Sequence, residues 1–114
     1  DADCKSGIQK TVKNVLYDSW FADVVFEEFP VAGTRLTFDF FNATRNIAVE
    51  VDGNQHYKYN KFFHSNSRQN FLSQLQRDEK KEYFCEINNI SLLRILESEI
   101  VEGQFPNKTF LNNI

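Results

Sequence analysis

Residues 36–52 constrain the fold most: two short alternating runs joined by a turn, the pattern of a β-hairpin. In the outgoing run Leu36, Phe38 and Phe40 lie on one face, with Thr37, Asp39 and Phe41 on the other. Asn42-Ala43-Thr44-Arg45-Asn46 supplies the turn. In the returning run Ile47, Val49 and Val51 share a face opposed to Ala48, Glu50 and Asp52. A hairpin folded about Thr44 sets Asp39 opposite Val49 or Glu50, within the ~5 Å reach of cross-strand neighbours. Asp39, Glu50 and Asp52 are therefore expected to crowd one face at one end of the hairpin.

The rest of the chain frames this hairpin with helices. Ile8, Val12, Val15, Leu16 and Trp20 recur at helical spacing and predict an amphipathic helix over 5–20, with Ser6 as its N-cap. A strand over 23–31 closes at Pro30, and 32–35 form a turn. Residues 53–66, rich in Asn, His, Lys and aromatics, read as a loop. A long helix is expected from 67 to 88, with Phe71, Leu72 and Leu75 toward the core. Asp78 falls on that same stripe, an odd place for a charge unless the helix covers the carboxylate cluster. Asn88 and Asn89 end the helix, 90–96 read as a buried strand, and 97–105 begin a last helix. The order α-β-β-β-α-β, with a C-terminal helix, predicts an α/β (α+β) fold: a mixed sheet flanked by helices.

At 114 residues, with four Gly, two Pro and no low-complexity tract, residues 1–114 read as a single domain. The chain begins at Asp1 and holds no Met, so it is expected to be a fragment of a longer protein. No apolar run approaches the roughly 20 residues of a membrane span. Cys4 and Cys85 are too few for a disulfide framework, which points to free thiols in a reducing, cytoplasmic setting. The net charge of −3 matters more, because a free-standing nucleic-acid binder usually carries a basic excess.

Three carboxylates on one sheet face repel one another and are costly to desolvate unless something positive joins them. A divalent cation is the simplest answer, and oxygen ligands from Asp39, Glu50 and Asp52 suit Mg²⁺ or Mn²⁺ better than zinc. Such an ion polarises a phosphodiester and activates water, as hydrolysis requires. His56, four residues beyond Asp52 and past Gly53, has the reach to serve as general acid or base. The bland alternatives are a solvated acidic face, a surface histidine, a turn glycine, and a solvated helix face for Asp78, Glu79, Lys80 and Lys81.

"RLTFDFF…NIAVEVDGNQHY" followed by "RDEKKEYFCEINNISLLRI" resembles the very short patch repair endonucleases and the EDxHD-type homing endonucleases, a branch of the PD-(D/E)XK nuclease superfamily that includes phage-borne enzymes. The likeness runs from about residue 34 to 96. It implies a metal-dependent endonuclease acting on double-stranded DNA with Mg²⁺ or Mn²⁺, in the host cytoplasm if phage-encoded. It further implies separate DNA-binding modules elsewhere, and it leaves open both pairing of copies through regions outside this domain and nicking by a monomer. Asp39 corresponds to the metal-binding acid of the first core strand, and Glu50 and Asp52 to the (D/E)XK position, with Asp52 where the motif's lysine would stand. Gln55 and His56 match the family's Q-H pair, and Asp78 and Lys81 its R-D-x-x-K helix. Lys81 is thereby a candidate for the missing lysine. Gln9 stands where the first helix of the family often carries a glutamate. The rival reading is a degenerate nuclease-fold module that keeps the scaffold for nucleic-acid or protein binding.

Overall fold

A computed structural model of the chain describes residues 2–52, 65–101, 103 and 105–114. Eight elements follow in order among them: α1 (Ala2–Ser19), β1 (Val25–Pro30), β2 (Thr37–Asn42), β3 (Ile47–Asp52), α2 (Ser65–Ile87), β4 (Ser91–Leu96), α3 (Glu97–Val101) and α4 (Lys108–Asn113). The sheet runs β1-β2-β3-β4, the first three strands antiparallel and β4 parallel to β3. A parallel neighbour needs a crossover connection, and α2 lies within it. The expected α+β class, element order and mixed sheet are all present.

The sheet separates two apolar clusters, each capped by a different helix. Val12, Leu16 and Trp20 of α1 pack with Phe40, Ile47, Val49, Val51 and Ile95. On the other face Phe38, Phe41 and Ala48 meet Cys85 of α2, with Phe84 against the cluster. β3 lies between them and is buried at every position, which is why its apolar face and its acidic face are both covered. Burial pushes the Cys85 thiol up to about 11, so it behaves as a small apolar side chain rather than a nucleophile.

The expected alternation of β2 fails at one rung. Phe40 belongs to the α1 cluster and Phe38 to the α2 cluster, so the two do not share a face. The reason lies in the neighbouring strand. β1 and β2 pair at Glu27↔Phe40 and again at Phe29↔Phe38, which leaves Glu28 across from Asp39. Glu28 has φ 52, a left-handed conformation that turns the peptide and resets which residue points which way. Phe29 consequently stacks on Phe41 at 4.6 Å, on the α2 side. Glycine adopts that conformation without the roughly 1–2 kcal/mol penalty of other residues, so Glu28→Gly is expected to raise stability by about 1 kcal/mol in thermal unfolding.

The hairpin turn is fixed by a polar knot. Asn42 is fully buried; its amide donates to Asp23 Oδ2 at 2.9 Å, and its carbonyl accepts the Arg45 backbone N–H at 2.9 Å. Arg45 Nε also donates to Asp23, at 2.6 Å. These two donors hold the Asp23 carboxyl below its ordinary range.

Two expectations about packing are corrected. Leu72 is exposed rather than core-facing, because the buried stripe of α2 passes through Asp78 and Cys85 instead. β4 is an edge strand, only partly covered, with Ile95 its one fully buried position. The predicted loop over 53–66 lies mostly outside the described residues, and the final helical region is split into α3 and α4.

Candidate carboxylate site

The β2–β3 register pairs Phe40 with Val49, so the next rung sets Asp39 against Glu50. The Asp39 backbone N–H points to Glu50 Oε2 at 3.4 Å. Asp39 Oδ2 accepts the Val51 backbone N–H at 2.8 Å, replacing a ladder bond with a side-chain one. Its Oδ1 accepts from the Gln9 amide of α1 at 3.1 Å. Thus the irregular rung at Glu28 lets Asp39 sit between the two sheet faces: α1 reaches it from one side, and Glu50 faces α2 on the other.

Glu50 carries the more perturbed charge. Burial, then the negative charge of Asp39, pushes its carboxyl from 4.5 to about 7, against the opposing pull of Lys81. The Lys81 ammonium, from α2, donates to Glu50 Oε1. Asp39, by contrast, is held by neutral donors among the described residues, an amide and a peptide N–H. Among the described residues the pair therefore brings two carboxylates together with one ammonium, which contacts Glu50.

Asp52 is two residues further along β3 and is held differently. Arg94, from β4, donates to Asp52 Oδ2 at 3.2 Å, to Asp78 Oδ1 at 3.4 Å and to Glu82 Oε2 at 3.3 Å. Asp78 is buried, as its place on the apolar stripe implied, and its Oδ2 has no hydrogen-bond partner among the described residues. Glu79 and Lys80 face outward, whereas Lys81 and Asp78 turn to the sheet, so only half of the bland solvated-face reading holds.

A cavity of about 550 Å³ opens over this array, lined among others by Asp39, Glu50, Asp52, Asp78, Arg77 and Lys81. A second, of about 310 Å³, lies on the α1 side and includes Gln9, Lys10, Glu28 and Asp39. Among the described residues, no group of three or more His, Cys, Asp or Glu side chains converges on one point as a preformed metal cage would require. Gln55 and His56 lie outside the described residues.

The structure thus brings together Gln9, Asp39, Glu50 and Lys81, and sets Asp52 beside them in the grip of Arg94. Arg94 was not singled out from the sequence as a site residue. The available signal was an arginine inside the apolar run 92–96, since such a run tolerates a guanidinium only where acids await it. The parallel register with β3 places it beside Glu50, a long-range fact that local patterning does not contain.

Chemically, the Asp39–Glu50 pair suits a hard divalent cation that keeps several waters and takes only one or two carboxylates, as Mg²⁺ does. Without such a charge, proximity of the two acids is relieved by protonating Glu50 near neutral pH.

Among the described residues no helix is long and apolar enough to cross a membrane. No family model matches the chain, and no solved structure matches it. The chain is similar to three viral proteins. It is 39% identical over 66 residues to uncharacterized protein 033L of Invertebrate iridescent virus 3, covering 58% of this chain and 34% of that protein. It is 37% identical over 61 residues to uncharacterized protein 307L of Invertebrate iridescent virus 6, covering 54% and 30%. It is 33% identical over 66 residues to uncharacterized protein 094L of Frog virus 3, covering 58% and 43%. The chain therefore matches less than half the length of each of these relatives, and their names assign no activity.

Proposed function

We propose that this chain is a metal-dependent DNA endonuclease domain with a PD-(D/E)XK-type core, akin to the very short patch repair and homing endonucleases. The observation that carries the reading is the Asp39–Glu50 pair: two adjacent carboxylates on the central strands, Glu50 tied to the Lys81 ammonium and Asp39 held by neutral donors, beneath an open cavity. Asp39 and Glu50 would hold Mg²⁺ or Mn²⁺, and water would complete the shell. Bound there, the ion would polarise the phosphodiester and lower the pKa of the attacking water. Lys81 would hold Glu50 ionised and donate toward charge developing on the phosphate. Arg94 would keep Asp52 and Asp78 from adding their charge to the pair. His56 is the proposed general acid or base, with Gln55 beside it in sequence.

A second reading, a degenerate nuclease-fold module, is favoured by one observation. The Gln9 amide donates to Asp39 where an acid on α1 would add a further oxygen ligand. The two readings are separated by titrating Mn²⁺ into the metal-free chain by calorimetry. The nuclease reading expects a saturable site, whereas absence of binding favours the degenerate module. His56→Ala is expected to keep Mn²⁺ binding while slowing plasmid cleavage by about 10²-fold or more, the usual worth of a positioned acid–base group. Unchanged cleavage would remove His56 from the mechanism.

A further inference from the structure

The two cavities adjoin, since Asp39 and Glu28 line both. Each falls within the roughly 300–1,000 Å³ of ligand clefts. Together they run past the carboxylate pair from the α1 side of the sheet to the α2 side.

The cations along this path are distinctive. Lys13, Arg45, Lys81 and Arg94 are tied to acids. Among the described residues Lys10, Arg35, Arg77, Lys80 and Lys108 have exposed side chains without an ion-pair partner. Lys10 lines the α1-side cavity, and Arg35 and Arg77 line the α2-side cavity. In a chain of net charge −3, three of these five uncommitted cations among the described residues thus flank the carboxylates.

We infer that Lys10, Arg35 and Arg77 form a backbone track: they bind successive phosphates of a DNA strand on either side of the phosphate above Asp39 and Glu50. The inference deepens the nuclease reading and rests on it for the identity of the central phosphate. Flexible lysine and forked arginine suit phosphate oxygens, which position a duplex without reading its sequence. The cleft's lining otherwise holds several acids, Glu28, Asp39, Glu50, Asp52 and Asp78, so Lys10, Arg35 and Arg77 supply the local positive charge that an acidic domain needs beside a polyanionic substrate.

The test is fluorescence anisotropy of a labelled DNA duplex with the 114-residue chain in Ca²⁺, over about 50–200 mM salt, where each phosphate contact contributes about 0.9 to the log–log slope. The triple variant Lys10→Ala, Arg35→Ala, Arg77→Ala is expected to lose about 2–3 from that slope and at least about tenfold in affinity near 100 mM salt. Lys80→Ala with Lys108→Ala serves as the control and is expected to match the parent. Far-ultraviolet circular dichroism confirms that both variants fold. An unchanged slope in the triple variant, an equal loss in the control, or no duplex binding by the parent would each overturn the track. Metal-dependent cleavage is scored separately. Cleavage with an unchanged slope would defeat the track alone, whereas a lost slope in a chain that never cleaves would defeat the nuclease reading and leave the track standing.

Discussion

Replacing Lys81 with methionine is expected to make the stability of the metal-free protein fall with pH well past neutrality. In the parent, burial and Asp39 hold the Glu50 carboxyl at about 7, above its ordinary 4.5. The folded chain therefore keeps a proton that the unfolded chain releases, and stability declines as pH rises from about 4.5 to about 7. Below that window the penalty is absent, and above it the penalty is full, on the order of 3 kcal/mol at about 1.4 kcal/mol per pH unit. Lys81 is the cation in contact with Glu50 among the described residues, so it limits this decline. With methionine in its place the Glu50 pKa moves higher still, and the decline continues to about pH 8. Thermal melts in chelator from about pH 4 to 8 check this: the Lys81→Met curve should separate from the parent above about pH 7 and lie roughly 5 °C below it by about pH 8, the scale of the ~1 kcal/mol that one further pH unit of decline contributes in a domain this size. Coincident curves would mean that Lys81 does not carry the buried carboxylate. In the proposed mechanism the same change should slow cleavage by at least about 10²-fold.

Asp39→Asn is expected to move stability and activity in opposite directions. Asparagine keeps an oxygen for the Val51 N–H, so the β2–β3 junction holds. It removes the negative charge that raises Glu50, so the Glu50 pKa falls and stability at about pH 8 rises by about 1 kcal/mol. If the carboxylate pair holds the metal, cleavage should drop by about 10³-fold, equivalent to roughly 4 kcal/mol of barrier. Gained stability with lost activity marks a charge retained for function at the expense of folding. A variant both less stable and fully active would assign Asp39 a structural role.

How far the sequence foretold this arrangement depended on the range of the interactions. β3 was legible because its two-residue period keeps Ile47, Val49 and Val51 on one face, and they pack together as expected. Hairpin arithmetic about Thr44 narrowed the partner of Asp39 to Val49 or Glu50, and the pairing of Phe40 with Val49 selects Glu50. The placement of Phe38 was not legible, because alternation assumes regular backbone and Glu28 interrupts it from the neighbouring strand. Asp78 announced itself by sitting on an apolar stripe, but its partner Arg94 belongs to β4, aligned through a parallel crossover. Leu72 misled because helical periodicity alone does not show which face the sheet will cover. Gln9 was found only through resemblance; its amide reaches Asp39 from thirty residues away.

The most direct test of the proposed function is cleavage of a supercoiled plasmid at high concentrations of the parent chain and of Asp39→Asn, each with Mg²⁺, with Mn²⁺ and with chelator. The proposal expects conversion to nicked or linear plasmid by the parent in either metal, none in chelator, and a loss of about 10³-fold in the variant. An inert parent that is folded, or cleavage that survives unchanged in chelator or in Asp39→Asn, would contradict it.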